Sequence, residues 1–282
     1  MRFLKRCYLA LVMLFLYLPI GVLILYSFNA SKSRSVWSGF SLRWYRDLFS
    51  NELILTSLYN TLVVALCASV IAAILGTAAA MGIYSIRNRW FKSMIMNVTY
   101  MPILNPEIVM GVSLLLLFVS VNQIGAGITA ATGIPMPELN LGYLTLVIAH
   151  VTFCTPYVIL NVLPKLRQMD KFVYEAALDL GCSPVMAFFK VIIPEIMPGM
   201  ATGFLMALTY SVDDFIISYF VSSATSQTLP VTIGAMVRKR ISPEINALSA
   251  IIFVVVLVVL VAVNLSALRK ERLLQKKLGG GV

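Results

Sequence analysis

Long apolar stretches without Asp, Glu, Lys or Arg divide this chain, and short charged segments separate them. They extend over residues 7–31, 53–86, 108–137, 139–164, 215–237 and 245–268. A helix needs about 20 apolar residues to cross the hydrocarbon core of a bilayer. Backbone polar groups inside a bilayer must be bonded within their own segment, which favours helices. We predict six transmembrane helices, at residues 8–28, 57–84, 94–120, 142–164, 196–220 and 247–268.

The composition supports a membrane protein. Hydrophobic residues make up 60% of the 282 positions and charged residues only 12%, about half the share usual in soluble domains. Such a chain cannot cover a water-facing surface, so a soluble globular enzyme, a disordered chain and a disulfide scaffold are excluded. The expected fold class is therefore all-α integral membrane.

The positive charges predict the orientation of the chain. Lys and Arg number 22 against 12 acidic residues, and basic residues concentrate in cytoplasmic segments of membrane proteins. With a cytoplasmic N-terminus, fifteen basic residues lie inside and seven outside, so we predict that both termini are cytoplasmic. The cluster at 238–240 is an exception. Either one span near 221–246 is missed, or an external loop dips partly back, which Pro230 and Gly234 favour.

The segment between the first two spans, residues 29–56, contains a predicted short helix. Apolar side chains recur at helical spacing from Leu42 to Phe49, and Ser41 is a candidate cap. Trp44 and Tyr45 are expected at the level of the lipid headgroups. Considered alone, this segment is better interpreted as an anchor than as a recognition site.

The segment between spans four and five, residues 165–194, predicts two helices joined by a sharp turn. Glu175 to Leu180 favour a helix, and Gly181 suits the left-handed position that closes one. Ser183 followed by Pro184 is typical of the start of a second helix. The small side chains of the Ala pair after Glu175 would allow another surface to approach closely.

This segment resembles the EAA loop of binding-protein-dependent ABC importer permeases. The resemblance rests on Glu175-Ala176-Ala177, Gly181 and the sequence that ends at Pro194. It implies a type I ABC importer permease fold and a coupling helix that binds a separate ATPase subunit. Without the resemblance, an ordinary helical hairpin would be the default interpretation. The implied transmembrane domain covers 57–268, with an N-terminal extension, 1–56, and a basic cytoplasmic tail, 269–282.

Further segments resemble the second permease subunit of spermidine/putrescine transporters. They are Tyr26–Asn29, Trp37–Tyr45, His150–Cys154, Ser211–Asp214 and Ser242–Leu248. The resemblance implies polyamine import across the bacterial inner membrane, with a second permease subunit, ATPase subunits and an extracytoplasmic binding protein as partners; no nucleic acid is involved. The binding protein would deliver solute to 29–56 and 221–246. Related permeases carry ferric iron or amino acids, which remain alternative solutes.

Two adjacent carboxylates, Asp213 and Asp214, fall inside the predicted fifth span. An Asp at a helix centre costs roughly 2.5–3.5 kcal/mol on insertion scales, so both must face protein, water or a cation. Neighbouring residues point about 100° apart on a helix, so one could face a pathway and the other a helix. The alternative is a broken helix in which Ser211 and Asp214 form a cap-like pair.

Glu107 follows Pro106 near the start or middle of the predicted third span. It is either a third carboxylate of the pathway or a first-turn residue stabilised by the helix dipole. For an amine cargo, Tyr210, Phe215 and Tyr219 would supply cation–π faces or contact the methylene groups.

No sequence motif indicates catalysis by this chain. A phosphate-binding G-x-x-x-x-G-K-[S/T] loop does not occur in the sequence, so ATP hydrolysis is expected from a separate subunit and no cofactor is predicted. His150, the single histidine, is expected to make a hydrogen bond between helices. The other transporter class considered is an ion-coupled secondary transporter, which would need an inverted repeat or paired broken helices.

Overall fold

The computed structural model describes residues 2–31, 36–239, 244–255, 257–258 and 261. Within these residues the regular structure is helical, apart from one isolated antiparallel bridge between Asn29 and Phe40. The helices are α1 (Arg2–Ser27), α2 (Arg43–Phe49), α3 (Glu52–Ser85), α4 (Arg89–Leu104), α5 (Glu107–Thr132), α6 (Tyr143–Gln168), α7 (Lys171–Asp179), α8 (Pro184–Ala187), α9 (Ile193–Asp213), α10 (Ile216–Val221), α11 (Leu229–Lys239) and α12 (Glu244–Val255), and a π-helical turn, Phe188–Ile192, joins α8 to α9. The predicted all-α class is confirmed.

Five helical stretches among the described residues are long and apolar enough to cross a membrane. They are Leu4–Ser27, Glu52–Ser85, Glu107–Thr132, Tyr143–Gln168 and Pro184–Asp213. Each overlaps one of the first five predicted spans. In the predicted sixth span, 247–268, α12 covers the beginning, and ten of the 22 positions lie outside the described residues.

The predicted boundaries of the third span, 94–120, are wrong. The chain leaves the helical conformation at Asn105, where φ is −76° and ψ is 142°. Pro106 causes this break, because a residue that precedes proline is sterically excluded from the helical region. The span itself is α5, which begins at Glu107, and α4 is a separate helix before it.

The fifth span, predicted as one helix over 196–220, is also broken. Helix α9 ends at Asp213, and Asp214 has extended backbone angles, with φ −64° and ψ 121°. Helix α10 then begins at Ile216 and has only 6 residues. The broken-helix alternative is therefore the one that the structure adopts.

The described residues fall into two compact units: Leu53–Gly234, and the two ends of the chain. The core of the first unit lies where α9 packs along α6. Gly199 and Gly203 allow the close approach, since a Cβ at Gly203 would lie 3.0 Å from the Cα of Val158, and one at Gly199 only 2.7 Å from the carbonyl oxygen of Asn161. Small residues four positions apart are a common device for packing membrane helices.

The segment after α10 turns back into the same unit. Asn60 of α3 donates hydrogen bonds to the carbonyls of Thr225 and Gln227, at 3.3 and 3.0 Å. The backbone N–H of Leu229 donates to Thr61 Oγ1 at 2.7 Å. Helix α11 has 11 residues, well short of the about 20 needed to cross a bilayer. Helix α11 is therefore too short to be a missed span by itself, and a loop that dips back stays a prediction.

In the other unit, the chain after α1 folds around Asn29. The Asn29 side chain accepts a hydrogen bond from Ser38 N at 3.0 Å and donates one to the carbonyl of Val36 at 2.8 Å. The backbone carbonyl of Asn29 accepts one from the Trp44 indole at 2.6 Å.

Trp44 is buried, 2% exposed, and its indole N–H is satisfied inside the protein. The expected level of Trp44 and Tyr45 at the lipid headgroups stays a prediction. The predicted short helix is confirmed as α2, although Leu42 rather than Ser41 occupies the N-cap position. The Ser41 hydroxyl still accepts a hydrogen bond from Arg43 N at 3.2 Å.

Candidate functional site

The internal segment 165–194 folds as the predicted helix–turn–helix. Asp170 begins α7 by accepting a hydrogen bond from Phe172 N at 3.0 Å. After α7 the chain turns at Gly181, whose φ of +86° lies in the left-handed region. The N–H groups of Gly181 and Cys182 donate back to Leu178 and Ala177 at 2.9 and 3.1 Å. This is the Schellman pattern of a glycine-closed helix, so the prediction for Gly181 is confirmed.

The second half of the segment contains a feature that the sequence did not predict. Ser183 caps α8 by accepting a hydrogen bond from Met186 N at 3.3 Å, and Pro184 is its first residue, as expected. The helix then widens, and Ile193 N donates to Phe188 O five residues earlier. Pro194 follows and has no N–H to donate. That missing donor beside the π-turn was the available signal in the sequence.

The EAA-type residues of α7 and the turn are only partly at the surface. Glu175, Ala176 and Gly181 are exposed, whereas Ala177 is buried, 9% exposed. Phe172, Leu180 and Val185 of the same segment, which we call the hairpin patch, are exposed apolar side chains, with exposed fractions of 73%, 87% and 68%. An apolar group this exposed is typical of an interaction surface.

The predicted pathway residues meet at a cavity of about 340 Å³ in the first unit. Its wall includes five of the six residues that the sequence nominated: Glu107, Tyr210, Asp213, Asp214 and Phe215. Tyr219, the sixth, is not part of this wall, although its ring lies 5.9 Å from that of Phe215. The structure therefore brings these residues of α5, α9 and the link between α9 and α10 into one site, and α4, α6 and α10 complete its wall.

The two aspartates differ sharply in their surroundings. Asp214 is 8% exposed and its carboxylate accepts hydrogen bonds from Ile217 N at 3.2 Å, Ser218 N at 2.7 Å and Ser218 Oγ at 2.7 Å. It thereby caps the first turn of α10. Asp213 is exposed. The predicted pairing of Asp214 with Ser211 is wrong, because the partner of Asp214 is Ser218.

His150 of α6 is completely buried behind this cap. Its Nδ1 lies 2.6 Å from Ser211 Oγ and its Nε2 lies 3.0 Å from Ser218 Oγ. Nε2 also lies 3.5 Å from a carboxylate oxygen of Asp214. The predicted hydrogen bonding of His150 between helices is confirmed. His150, rather than Asp214, is the group to which Ser211 bonds.

The position of Glu107 agrees with both interpretations that the sequence left open, and its part in a pathway stays a prediction. It lies in the first turn of α5, where the helix dipole favours a negative charge, and its side chain is exposed to the cavity. Among the described residues, no Lys or Arg lies within 4.0 Å of the Glu107 or Asp213 carboxylates. The cavity therefore has two carboxylates that the described part of the chain leaves without a cationic partner.

Sequence reasoning missed Tyr157, which completes the aromatic wall. Its ring stacks on that of Tyr210 with centroids 4.3 Å apart and an interplanar angle of 27°. Tyr157 follows His150 by seven residues, two helical turns, and so lies on the same face of α6. That spacing was the signal available in the sequence. The result is a paired aromatic surface beside Glu107 and Asp213.

Comparison with known proteins places this architecture in a family. Residues 72–279 match the family described as the binding-protein-dependent transport system inner membrane component. The chain is 41% identical over 239 residues to the putrescine transport system permease protein PotI of Escherichia coli (strain K12), covering 84% of this chain and 81% of that protein. It is 35% identical to the spermidine/putrescine transport system permease protein PotC of Haemophilus influenzae, covering 92% and 94%.

A solved structure supports the fold. A chain of a bacterial ABC transporter that imports the acidic polysaccharide alginate superposes with a TM-score of 0.68 at 16% identity, covering 94% of each chain. The present chain belongs to the binding-protein-dependent transport permeases of the bacterial inner membrane, with the fold of an ABC importer permease. It is a multi-pass, non-catalytic subunit, and its membership of an ABC permease family decides against the ion-coupled secondary transporter.

The different surroundings of the two aspartates predict different effects on stability. Asp214→Ala leaves three donors of α10 without their acceptor, and losing an N-cap typically costs about 1–2 kcal/mol. We expect a lower thermal transition of the detergent-solubilised protein for Asp214→Ala and an unchanged one for Asp213→Ala. Equal destabilisation by the two substitutions would contradict the assignment of Asp214 as the cap.

Proposed function

We propose that this chain forms half of the translocation pathway of an ATP-driven importer of polyamines such as putrescine and spermidine. The observation that carries the proposal is the cavity, where Glu107 and Asp213 lie beside the stacked rings of Tyr157 and Tyr210. The names of the relatives PotI and PotC support the same solute class.

The chemistry of the cavity suits an amine with an alkyl chain. Ammonium groups are attracted by the two carboxylates, and a cation above a tyrosine ring gains roughly 0.5–2 kcal/mol. The faces of Tyr157 and Tyr210 also contact methylene groups. The Asp213 and Glu107 carboxylates are open to the cavity rather than fixed by many hydrogen bonds, which keeps binding weak enough for release.

Neutralising the cavity tests its role in transport. Asp213→Asn and Glu107→Gln keep the size of the side chains but remove their charges, so we expect putrescine uptake to fall by about tenfold or more, in line with losing a charged contact. The measurement is uptake of radiolabelled putrescine by the reconstituted transporter. Glu138→Gln, at an exposed carboxylate outside the cavity wall, is the matched control and should transport normally.

The same assay separates the alternative solutes. Excess spermidine should compete with labelled putrescine, whereas amino acids and ferric complexes should not. Normal uptake by Asp213→Asn, or competition by a neutral amino acid equal to that of spermidine, would contradict a carboxylate-lined polyamine pathway.

The motor is proposed to be a separate ATPase subunit that binds the internal hairpin. Glu175, Ala176, Ala177, Gly181 and Pro194 resemble the family's coupling residues, and the hairpin patch of the same segment exposes three large apolar side chains. Gly181 closes the helix with a positive φ, which brings Leu180 and Val185 to the same end of the hairpin. The π-turn then continues directly into α9, at whose other end Asp213 lies.

The remaining partners follow from this arrangement. A single chain supplies one wall of the pathway, and a second permease subunit would supply the other. An extracytoplasmic binding protein would deliver the polyamine to 29–56 and 221–246. Both termini would then be cytoplasmic, on the same side as the hairpin.

The exposed apolar side chains of the hairpin patch predict that substitutions there weaken binding of the ATPase subunit. Leu180→Ser changes a side chain that is 87% exposed, so the permease should fold normally while recovery of the ATPase in co-purification falls by about tenfold. Leu42→Ser, the same substitution at a leucine that is 58% exposed in the outer segment, should leave the ATPase bound. Full ATPase recovery with Leu180→Ser would argue against docking at the patch.

A further inference from the structure

The contacts of His150 extend beyond ordinary helix packing. Its ring, on α6, reaches both sides of the break in the fifth span: Ser211 belongs to α9, before the break, and Ser218 to α10, after it. His150 is fully buried and is not part of the cavity wall. It therefore holds two helix segments without contacting the space available to a solute.

The hydrogen atoms of the hydroxyl groups fix the direction of this network. A serine hydroxyl has a single hydrogen, and that of Ser218 is donated to Asp214 at 2.7 Å. The Ser218 oxygen must then accept from His150, so Nε2 of the ring is the protonated nitrogen. In the neutral ring Nδ1 is an acceptor, and the hydroxyl of Ser211 donates to it.

The result is a one-directional chain of hydrogen bonds from Ser211 through His150 and Ser218 to Asp214. Each of the three polar hydrogens in this chain has an acceptor, which makes the arrangement specific. Asp213 lies between two members of this chain, two residues after Ser211 and one before Asp214. Its backbone is thus held from both sides while its carboxylate projects toward the cavity.

We propose that His150 is a positioning residue for transport: it never contacts the polyamine but fixes the break that aims Asp213 into the pathway. The inference rests on the proposed function of Asp213. It assigns a role in cargo recognition to a buried histidine of another helix, and it predicts that His150 acts through Asp213 rather than through overall stability.

The test uses the complete reconstituted transporter and measures putrescine carried per ATP hydrolysed. His150→Leu removes both ring contacts and should lower this ratio by about tenfold, within what loss of buried hydrogen bonds allows. His150→Gln retains one donor and one acceptor and should recover a large part of the loss. Thr155→Val, which removes a hydroxyl bonded at 2.6 Å to Val151 of the same helix, is the control and should behave like the unaltered protein.

A double substitution separates positioning from a merely structural role. If His150 acts through Asp213, His150→Leu causes no further loss when added to Asp213→Asn, because coupled sites are not additive. Should His150→Leu prevent assembly, Ser211→Ala replaces it, since that change removes only the link to α9.

Three outcomes would overturn the proposal. One is an unchanged ratio of putrescine carried to ATP hydrolysed for His150→Leu. Another is that His150→Leu causes the same fold loss with and without Asp213→Asn, which would indicate a general defect. Normal transport by Asp213→Asn alone would overturn the proposed pathway itself and, with it, the positioning role. A loss with Asp213→Asn but not with His150→Leu would leave the pathway intact and remove only this inference.

Discussion

A helix that breaks inside a membrane exposes backbone N–H groups that lipid cannot satisfy, and the protein must supply their partners. At the break after Asp213 that partner is the carboxylate of Asp214, which accepts the N–H groups of Ile217 and Ser218. The arrangement of the site depends on this interaction. One of the two adjacent carboxylates is committed to the backbone, so the other, Asp213, is left open to the cavity.

The same constraint links the site to the rest of the fold. Helix α9 runs from the π-turn beside the hairpin to Asp213 and packs closely along α6 through its glycines. Displacement of the hairpin by an ATPase would therefore reach the cavity through one continuous helix. Helix α6, against which α9 would move, also contacts both sides of the break through His150. The cavity lining at the break is therefore linked to α6 as well as to α9. Such coupling needs two states with different contacts, and the break provides a place where those contacts can differ.

The apolar stretches predicted the positions of the first five spans and the all-α class, because hydrophobic length is a direct requirement of the bilayer. The hairpin was equally predictable, since Gly181, Ser183 and Pro184 act through local backbone geometry. The two breaks were harder to predict. The predicted third span ran across Pro106, although a proline is a local signal for a break. The break at Asp214 involves its bonds with Ile217 and Ser218 and the contacts of His150 from another helix. Trp44 and Tyr157 contact distant partners, Asn29 and Tyr210. The spacing from His150 indicates the face of α6 on which Tyr157 lies, but no local pattern identifies either partner.

The central claim is that this permease is a passive gate driven by ATP hydrolysis in another subunit. The most direct test is accumulation of labelled putrescine in proteoliposomes, with a saturating binding protein on the outer side and ATP or a non-hydrolysable analogue within. We expect accumulation against the gradient only when both the ATPase subunit and hydrolysable ATP are present. Uphill accumulation by the permease without the ATPase, or with the analogue, would contradict the account.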